Sequence, residues 1–252
     1  MLRHRVIPLV LLDGYSVVKT IQFDVRRNLG NPITVARVYN NRNIDELILL
    51  DIDASKKGRG IDLHTVSTVA DHCFMPLTVG GGLRSCQDIA NALEAGADKV
   101  SLNTIIFDDI DVVKQAVEVF GSQCIVASID VRKGEDGQYK LYSHAGREIR
   151  YTFEEVLKIL MEYCKVGEIL LNNVDLDGKM SGYDLDLIRY AASIVRDIPL
   201  IVAGGAASPS DCSAAIQQGA SAVSAASIFH FTSITPMTCK EDMEKQGIPV
   251  RK

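Results

Sequence analysis

No CxxC pair and no cluster of cysteine with histidine occurs in the sequence. Cys73, Cys86, Cys124, Cys164, Cys212 and Cys239 stand far apart, and the five histidines are equally scattered. That spacing excludes the common zinc frameworks, so neither a metal nor a cofactor is expected. It also fits small buried thiols in a reducing, cytoplasmic compartment. No apolar run approaches the roughly 18 residues that a membrane-spanning helix needs, and "MLRHRVIP" lacks a secretory core, so a cytoplasmic location is expected. There is no block of one charge. The net charge of −5 is spread over intermixed acids and bases, which argues against nucleic acid or membrane as a partner. No Pro/Ser-rich linker or low-complexity tract divides the chain, so one domain over 1–252 is expected.

What is present is an alternation. Eight apolar runs of strand length, at 5–12, 46–52, 76–80, 98–102, 124–130, 167–174, 199–203 and 221–225, are mostly separated by amphipathic stretches such as 84–95 and 153–163. This pattern predicts parallel βα units, and eight of them in this length suit an α/β fold of the (β/α)8 barrel type. The halves also repeat. "MPLTVGGG" (75–82) answers "IPLIVAGGA" (198–206), "GADKVSLNT" (96–104) answers "GASAVSAAS" (219–227), and "DELILLDID" (45–53) answers "GEILLNNVD" (167–175). With the opening strand matched to 124–130, four collinear pairs indicate two duplicated half-barrels.

In such barrels the C-terminal strand ends face the active site. Gly81 and Gly82, and again Gly204 and Gly205, let backbone N–H groups approach an anion, and "SLNT" and "SAAS" add donors. The duplicated pattern suggests two phosphate sites on opposite sides of one mouth; the alternative is that the glycines only permit tight turns. Asp130 ends "CIVASID" and is read as pointing into the mouth, either to shuttle protons or to pair with Arg132 or Lys133. Repeat symmetry puts its partner acid at position 11, where Leu11 stands, and Asp13 is placed in the following polar loop. At the other end of the barrel, Arg5, Glu46, Lys99 and Glu168 open strands 1, 2, 4 and 6. They are either four separate surface charges or a ring across the bottom.

Taken together, "VVKT", "DELILLDIDAS", "LTVGGGLRS", "AGADKVSLNT", "FGSQCIVASID", "GEILLNNVDLDG", "SGYDLDLIR" and "SIFHF" resemble the cyclase subunit of imidazole glycerol phosphate synthase, HisF, over essentially the whole chain. The resemblance implies a lyase-class barrel that docks a HisH-type glutaminase on its N-terminal face and passes ammonia through to a bis-phosphorylated substrate. It implies an ammonia gate at Arg5, Glu46, Lys99 and Glu168, a partner interface at Asp98, and a mobile loop carrying Lys19. It also implies one phosphate site at Gly82, Asn103 and Thr104, a second at Asp177, Gly178, Gly205, Ala226 and Ser227, and a catalytic Asp130.

The family's second catalytic aspartate is Leu11 here. Ala203 and Leu176 replace a serine and an arginine of the family pattern, while Asp51 and Thr78 persist. Loss of a proton-transfer residue with retention of the gate resembles a WbuZ-type, second-copy branch linked to amidation of surface sugars of the O-antigen and lipopolysaccharide type. The expectation is therefore an ammonia conduit that works with a glutaminase and a separate sugar amidotransferase. The alternatives are an ordinary cyclase of histidine biosynthesis in which Asp13 supplies the acid, and a scaffold that only activates its glutaminase.

Overall fold

Along the first strand, β1 (Arg5–Asp13), Ile7, Leu9 and Leu11 join one apolar cluster while Val6, Val10 and Leu12 join another. Successive side chains on a strand point to opposite faces, so a strand buried on both faces reads as an unbroken apolar run. The computed structural model, which describes residues 3–42 and 44–251, repeats this division all the way round. After β1 come β2 (Ser16–Ile21), β3 (Val25–Gly30), β4 (Leu47–Asp51), β5 (Leu77–Gly80), β6 (Lys99–Leu102), β7 (Ile125–Lys133), β8 (Tyr139–Tyr142), β9 (Glu168–Asn173), β10 (Leu200–Ala203) and β11 (Ala222–Ala225).

Eight of these strands, β1, β4, β5, β6, β7, β9, β10 and β11, pair in parallel in that order. The barrel closes where Arg5 to Pro8 of β1 lie against Ala222 to Ala225 of β11. The helices are α1 (Pro32–Asn41), α2 (Leu63–Ala70), α3 (Cys86–Glu94), α4 (Thr104–Asp108), α5 (Ile110–Phe120), α6 (Phe153–Lys158), α7 (Leu185–Val195), α8 (Pro209–Gln217), α9 (Ser227–Phe231) and α10 (Pro236–Lys245). The fold is a (β/α)8 barrel. The larger apolar cluster fills the layer between strands and helices. The smaller one, with Ile7, Leu9, Ile48, Val126, Leu170, Ile201 and Ala222, fills the lumen.

Strand ends fall within a residue or so of the expected ones, with two exceptions. The stretch after β1 is a hairpin rather than a polar loop: β2 pairs with β1 through Leu11–Val18, Leu12–Val17 and Asp13–Ser16, then with β3. Asp13 is therefore the last residue of a strand. Likewise β7 runs three residues past Asp130, because β8 folds back on it with Tyr142 opposite Asp130. Helix starts follow local chemistry. The Ser85 side chain accepts from the Asp88 N–H to start α3, and Thr152 with Glu155 forms a reciprocal cap on α6. The helix expected to run to 163 changes to a wider π-type turn over Ile159–Cys164 and stops at Lys165, whose φ is 57°. All six cysteines are free thiols; Cys164, Cys212 and Cys239 are buried, whereas Cys73, Cys86 and Cys124 are only half-buried.

Candidate functional site

The candidate residues gather at the two ends of one lumen. At the N-terminal end, Arg5 Nη1 donates to Glu46 Oε2 at 2.6 Å and Nη2 lies 2.8 Å from Glu168 Oε1. Lys99 Nζ reaches Glu46 Oε2 at 3.1 Å and Glu168 Oε2 at 2.9 Å. The four side chains close into an alternating ring, and Thr78 Oγ1 donates to Glu46 Oε1 at 2.8 Å from above. Glu46 is 2% exposed, so a lone carboxylate there would be severely penalised, and double pairing is what makes its burial tolerable. Of the two readings of these charges, the ring is the one the geometry has. Asp98 sits beside Lys99 on the same end, exposed, with Oδ2 accepting from the Leu77 N–H at 2.8 Å.

At the C-terminal end a cavity opens, bordered by Leu11, Asp51, Gly82, Asn103, Thr104 and Asp130, among others. Asp130 is buried and forms no ion pair with Arg132 or Lys133. Its Oδ2 accepts from Asn103 Nδ2 at 2.9 Å and its Oδ1 from Asn172 Nδ2 at 3.0 Å. Burial pushes its carboxyl up to about 6, against the pull of the two amides. Leu11 faces the same cavity with hydrocarbon. Asp13 does not border it: Arg26 Nη1 at 2.7 Å and Lys57 Nζ at 3.2 Å hold its carboxylate at the rim. Asp13 thus serves to anchor the hairpin, since Arg26, on β3, also clamps Asp53. Asp51 accepts from Arg59 Nη1 at 2.5 Å and from the N–H groups of Asp53 and Ala54.

The two candidate phosphate sites are separate hollows. Gly82, Asn103 and Thr104 border the cavity of Asp130, and a Cβ on Gly82 would lie 1.9 Å from the Arg59 carbonyl oxygen, so only glycine fits. Asp177, Gly178, Gly205, Ala226 and Ser227 border the second hollow, where a Cβ on Gly205 would lie 2.1 Å from the Gly182 carbonyl oxygen. Asn103 and Ala226 occupy equivalent positions just before α4 and α9, as the duplication requires. Asp177 borders both spaces. Burial pushes its carboxyl up to about 6, Thr20 Oγ1 donates to Oδ2 at 3.1 Å, Asp130 repels it and Lys19 opposes the rise. Lys19 lies in β2 rather than in a loop, with Nζ 3.4 Å from the Gly178 carbonyl oxygen and 4.5 Å from the centre of the Phe231 ring.

Residue-by-residue reading missed Phe23, His144 and Ser128, which also border the main cavity beside Ser101 of "SLNT". Ser128 had a signal, since it follows the period-2 inward face of its strand. Phe23 and His144 had none, because hairpin and ribbon contacts bring them in. No group of three or more His, Cys, Asp and Glu side chains able to hold a metal occurs among the described residues, and no helix among them is long and apolar enough to cross a membrane.

Comparison with known proteins follows the same lines. The family model described as "Histidine biosynthesis protein" matches residues 5–235. The chain is 44% identical over 253 aligned residues, covering 100% of it and 99% of the other, to a protein of Campylobacter jejuni subsp. jejuni serotype O:2 (strain ATCC 700819 / NCTC 11168) named "Putative imidazole glycerol phosphate synthase subunit hisF2". A duplicated barrel with a match over nearly its whole length leaves one assignment: the chain belongs to the histidine biosynthesis protein family and is HisF-like.

Proposed function

We propose that the chain is the ammonia-accepting subunit of a glutamine-dependent synthase, receiving ammonia from a HisH-type glutaminase at its N-terminal face. In this reading Arg5, Glu46, Lys99 and Glu168 gate the lumen, Asp98 helps to seat the partner, and Asp130 handles protons at the exit. The two glycine-lined hollows hold the phosphates of a small molecule. The observation that carries the reading is the closed, charge-balanced ring set beneath an apolar lumen that ends at Asp130. An apolar passage admits neutral ammonia and penalises ions and bulk water.

The nitrogen acceptor in this reading is a bacterial surface-sugar precursor, amidated by a separate sugar amidotransferase in the cytoplasm. Support comes from Leu11 at the acid's place and from the likeness of "RVIPLVLLDGYSVVKT" to the WbuZ-type branch. Full cyclase activity through Asp13 is disfavoured, because Arg26 and Lys57 hold that carboxylate outside the cavity. The test is Lys99→Met in complex with the glutaminase. Glutamine hydrolysis should persist while nitrogen reaching the amidated product falls at least tenfold. Unchanged product per glutamine consumed would sink the conduit.

A further inference from the structure

Exposed apolar side chains stand round the C-terminal mouth. Tyr15, in the turn between β1 and β2, is 75% exposed, and Leu63, the first residue of α2, is exposed too. With Gly14, Arg59 and His64 they wall a hollow outside the main cavity. Arg59 links the two spaces, because its guanidinium holds Asp51, which borders the main cavity. Farther round the rim, Phe231 ends α9 and Met180 borders the second glycine-lined hollow, both exposed. The hairpin tip is no loose end. Asp13, two residues before Tyr15, is held by Arg26 and Lys57, so the ring is carried on an anchored turn that has little freedom left to lose on binding. Large aromatic side chains presented in this way are the usual anchors of protein interfaces.

The charges round these groups are one-sided. Lys56 and Arg84 beside the hollow, and Arg27 and Lys179 elsewhere on the rim, are exposed and form no ion pair among the described residues. The Arg84 guanidinium donates only to the carbonyl oxygens of Ser55 and Gly58. Against them stands Asp24 of the hairpin, while Asp62 is taken up in capping α2, and Lys133 and Glu135 of the ribbon offset each other. A chain of net charge −5 therefore presents a basic rim at this end.

We propose that this rim is a docking surface for the enzyme that consumes the nitrogen, a protein that seats an apolar anchor between Tyr15 and Leu63 and surrounds it with acidic side chains. The inference rests on the proposed ammonia passage and adds to it the surface on which the next protein sits. Ammonia released into water at neutral pH takes up a proton and ceases to be a nucleophile, so a passage that ends in open solvent loses what it carries. A partner seated over the mouth keeps the nitrogen neutral until it meets its acceptor. Complementary charge steers that partner and sets its orientation, and the apolar contacts hold it. A small phosphorylated ligand would account for cations beside the hollows, but not for an exposed tyrosine and leucine outside them.

The experiment uses the complex of this chain with its glutaminase and, as probe, the purified sugar amidotransferase. Without glutamine, so that binding is read apart from any passage of ammonia, the amidotransferase should bind the complex, and added salt should weaken it. Tyr15→Ser with Leu63→Ser should weaken binding at least tenfold at an unchanged melting temperature, since both side chains are exposed. Lys56→Glu with Arg84→Glu should do the same. With glutamine present and an ammonia-consuming dehydrogenase in solution as a trap, the wild type should keep forming amidated product. The Tyr15→Ser/Leu63→Ser variant should lose at least tenfold to the trap, with glutamine hydrolysis within twofold. Absence of wild-type binding, or binding within twofold of wild type in Tyr15→Ser/Leu63→Ser, would overturn the proposal. So would a loss seen in the charge reversal alone, which would make the rim a site for small anions. Because binding is read without glutamine, failure of the Lys99→Met test leaves this result standing, and failure here leaves the gate untouched.

Discussion

Asp130 binds its proton more tightly in the folded chain than in the unfolded one, because burial disfavours the carboxylate and two amides only partly compensate. The folded state then holds more protons than the unfolded state between the ordinary aspartate value and about 6, and its stability falls as pH rises through that window. A rise of this size corresponds to about 2 kcal/mol between pH 4.5 and 8. Asp130→Asn removes the titration, so wild type should gain about 2 kcal/mol on the variant as the pH drops from 8 to 4.5. Paired urea melts at the two pH values check this; an unchanged difference would show that Asp130 is ordinary. The inward position of Asp130 was legible because strand period and barrel rules place a terminal residue of that face in the mouth. The inertness of Asp13 was not: its partners Arg26 and Lys57 lie 13 and 44 residues away, and no local pattern announces such pairs.

At the scale of elements, the hairpin β2–β3 is where reading and structure part. "SVVKTI" contains the β-branched residues of a strand, yet two of its six side chains are hydroxyls and one is a lysine, which makes the segment look like a loop. What folds it is tertiary. Leu11 and Leu12 pair with Val18 and Val17, Gln22 and Lys19 donate to carbonyls of the loop after β9, and Phe23 packs on the ribbon made by β8. Arg26 fastens the far strand to Asp13 and Asp53 at the rim. Arg26→Ala should therefore loosen the hairpin without unfolding the barrel. Amide exchange in Val17 to Thr20 should quicken about tenfold, corresponding to ~1.4 kcal/mol of local stability. Exchange in β7 and β9 should stay as it was. Equal acceleration everywhere would mean that the salt bridges belong to the global core.

For the whole molecule, the duplication made most of the architecture legible. Four collinear sequence pairs correspond to strands that occupy equivalent places round the barrel, and the two glycine pairs sit in equivalent hollows. Closure of the four charges was legible from the residues only as one of two readings, which the family resemblance favoured, since a ring requires the starts of β1, β4, β6 and β9 to meet across a lumen that no single segment encodes. The lumen also separates a conduit from a scaffold. Ala222 lies in the inner cluster beside Arg5, its partner across the β11–β1 junction, so a larger side chain there intrudes just above the ring. Ala222→Leu should cost about 1–3 kcal/mol through overpacking, tolerable for a barrel of this size. In the glutaminase complex it should leave glutamine hydrolysis within twofold while cutting delivered nitrogen at least tenfold. A scaffold would lose neither, because its effect on the partner runs through the docking face rather than along the axis. A fall in hydrolysis and delivery together would instead place Ala222 in the signalling contact between the subunits, and the hydrolysis rate read beside the ratio of product to glutamine consumed distinguishes the three outcomes in a single assay.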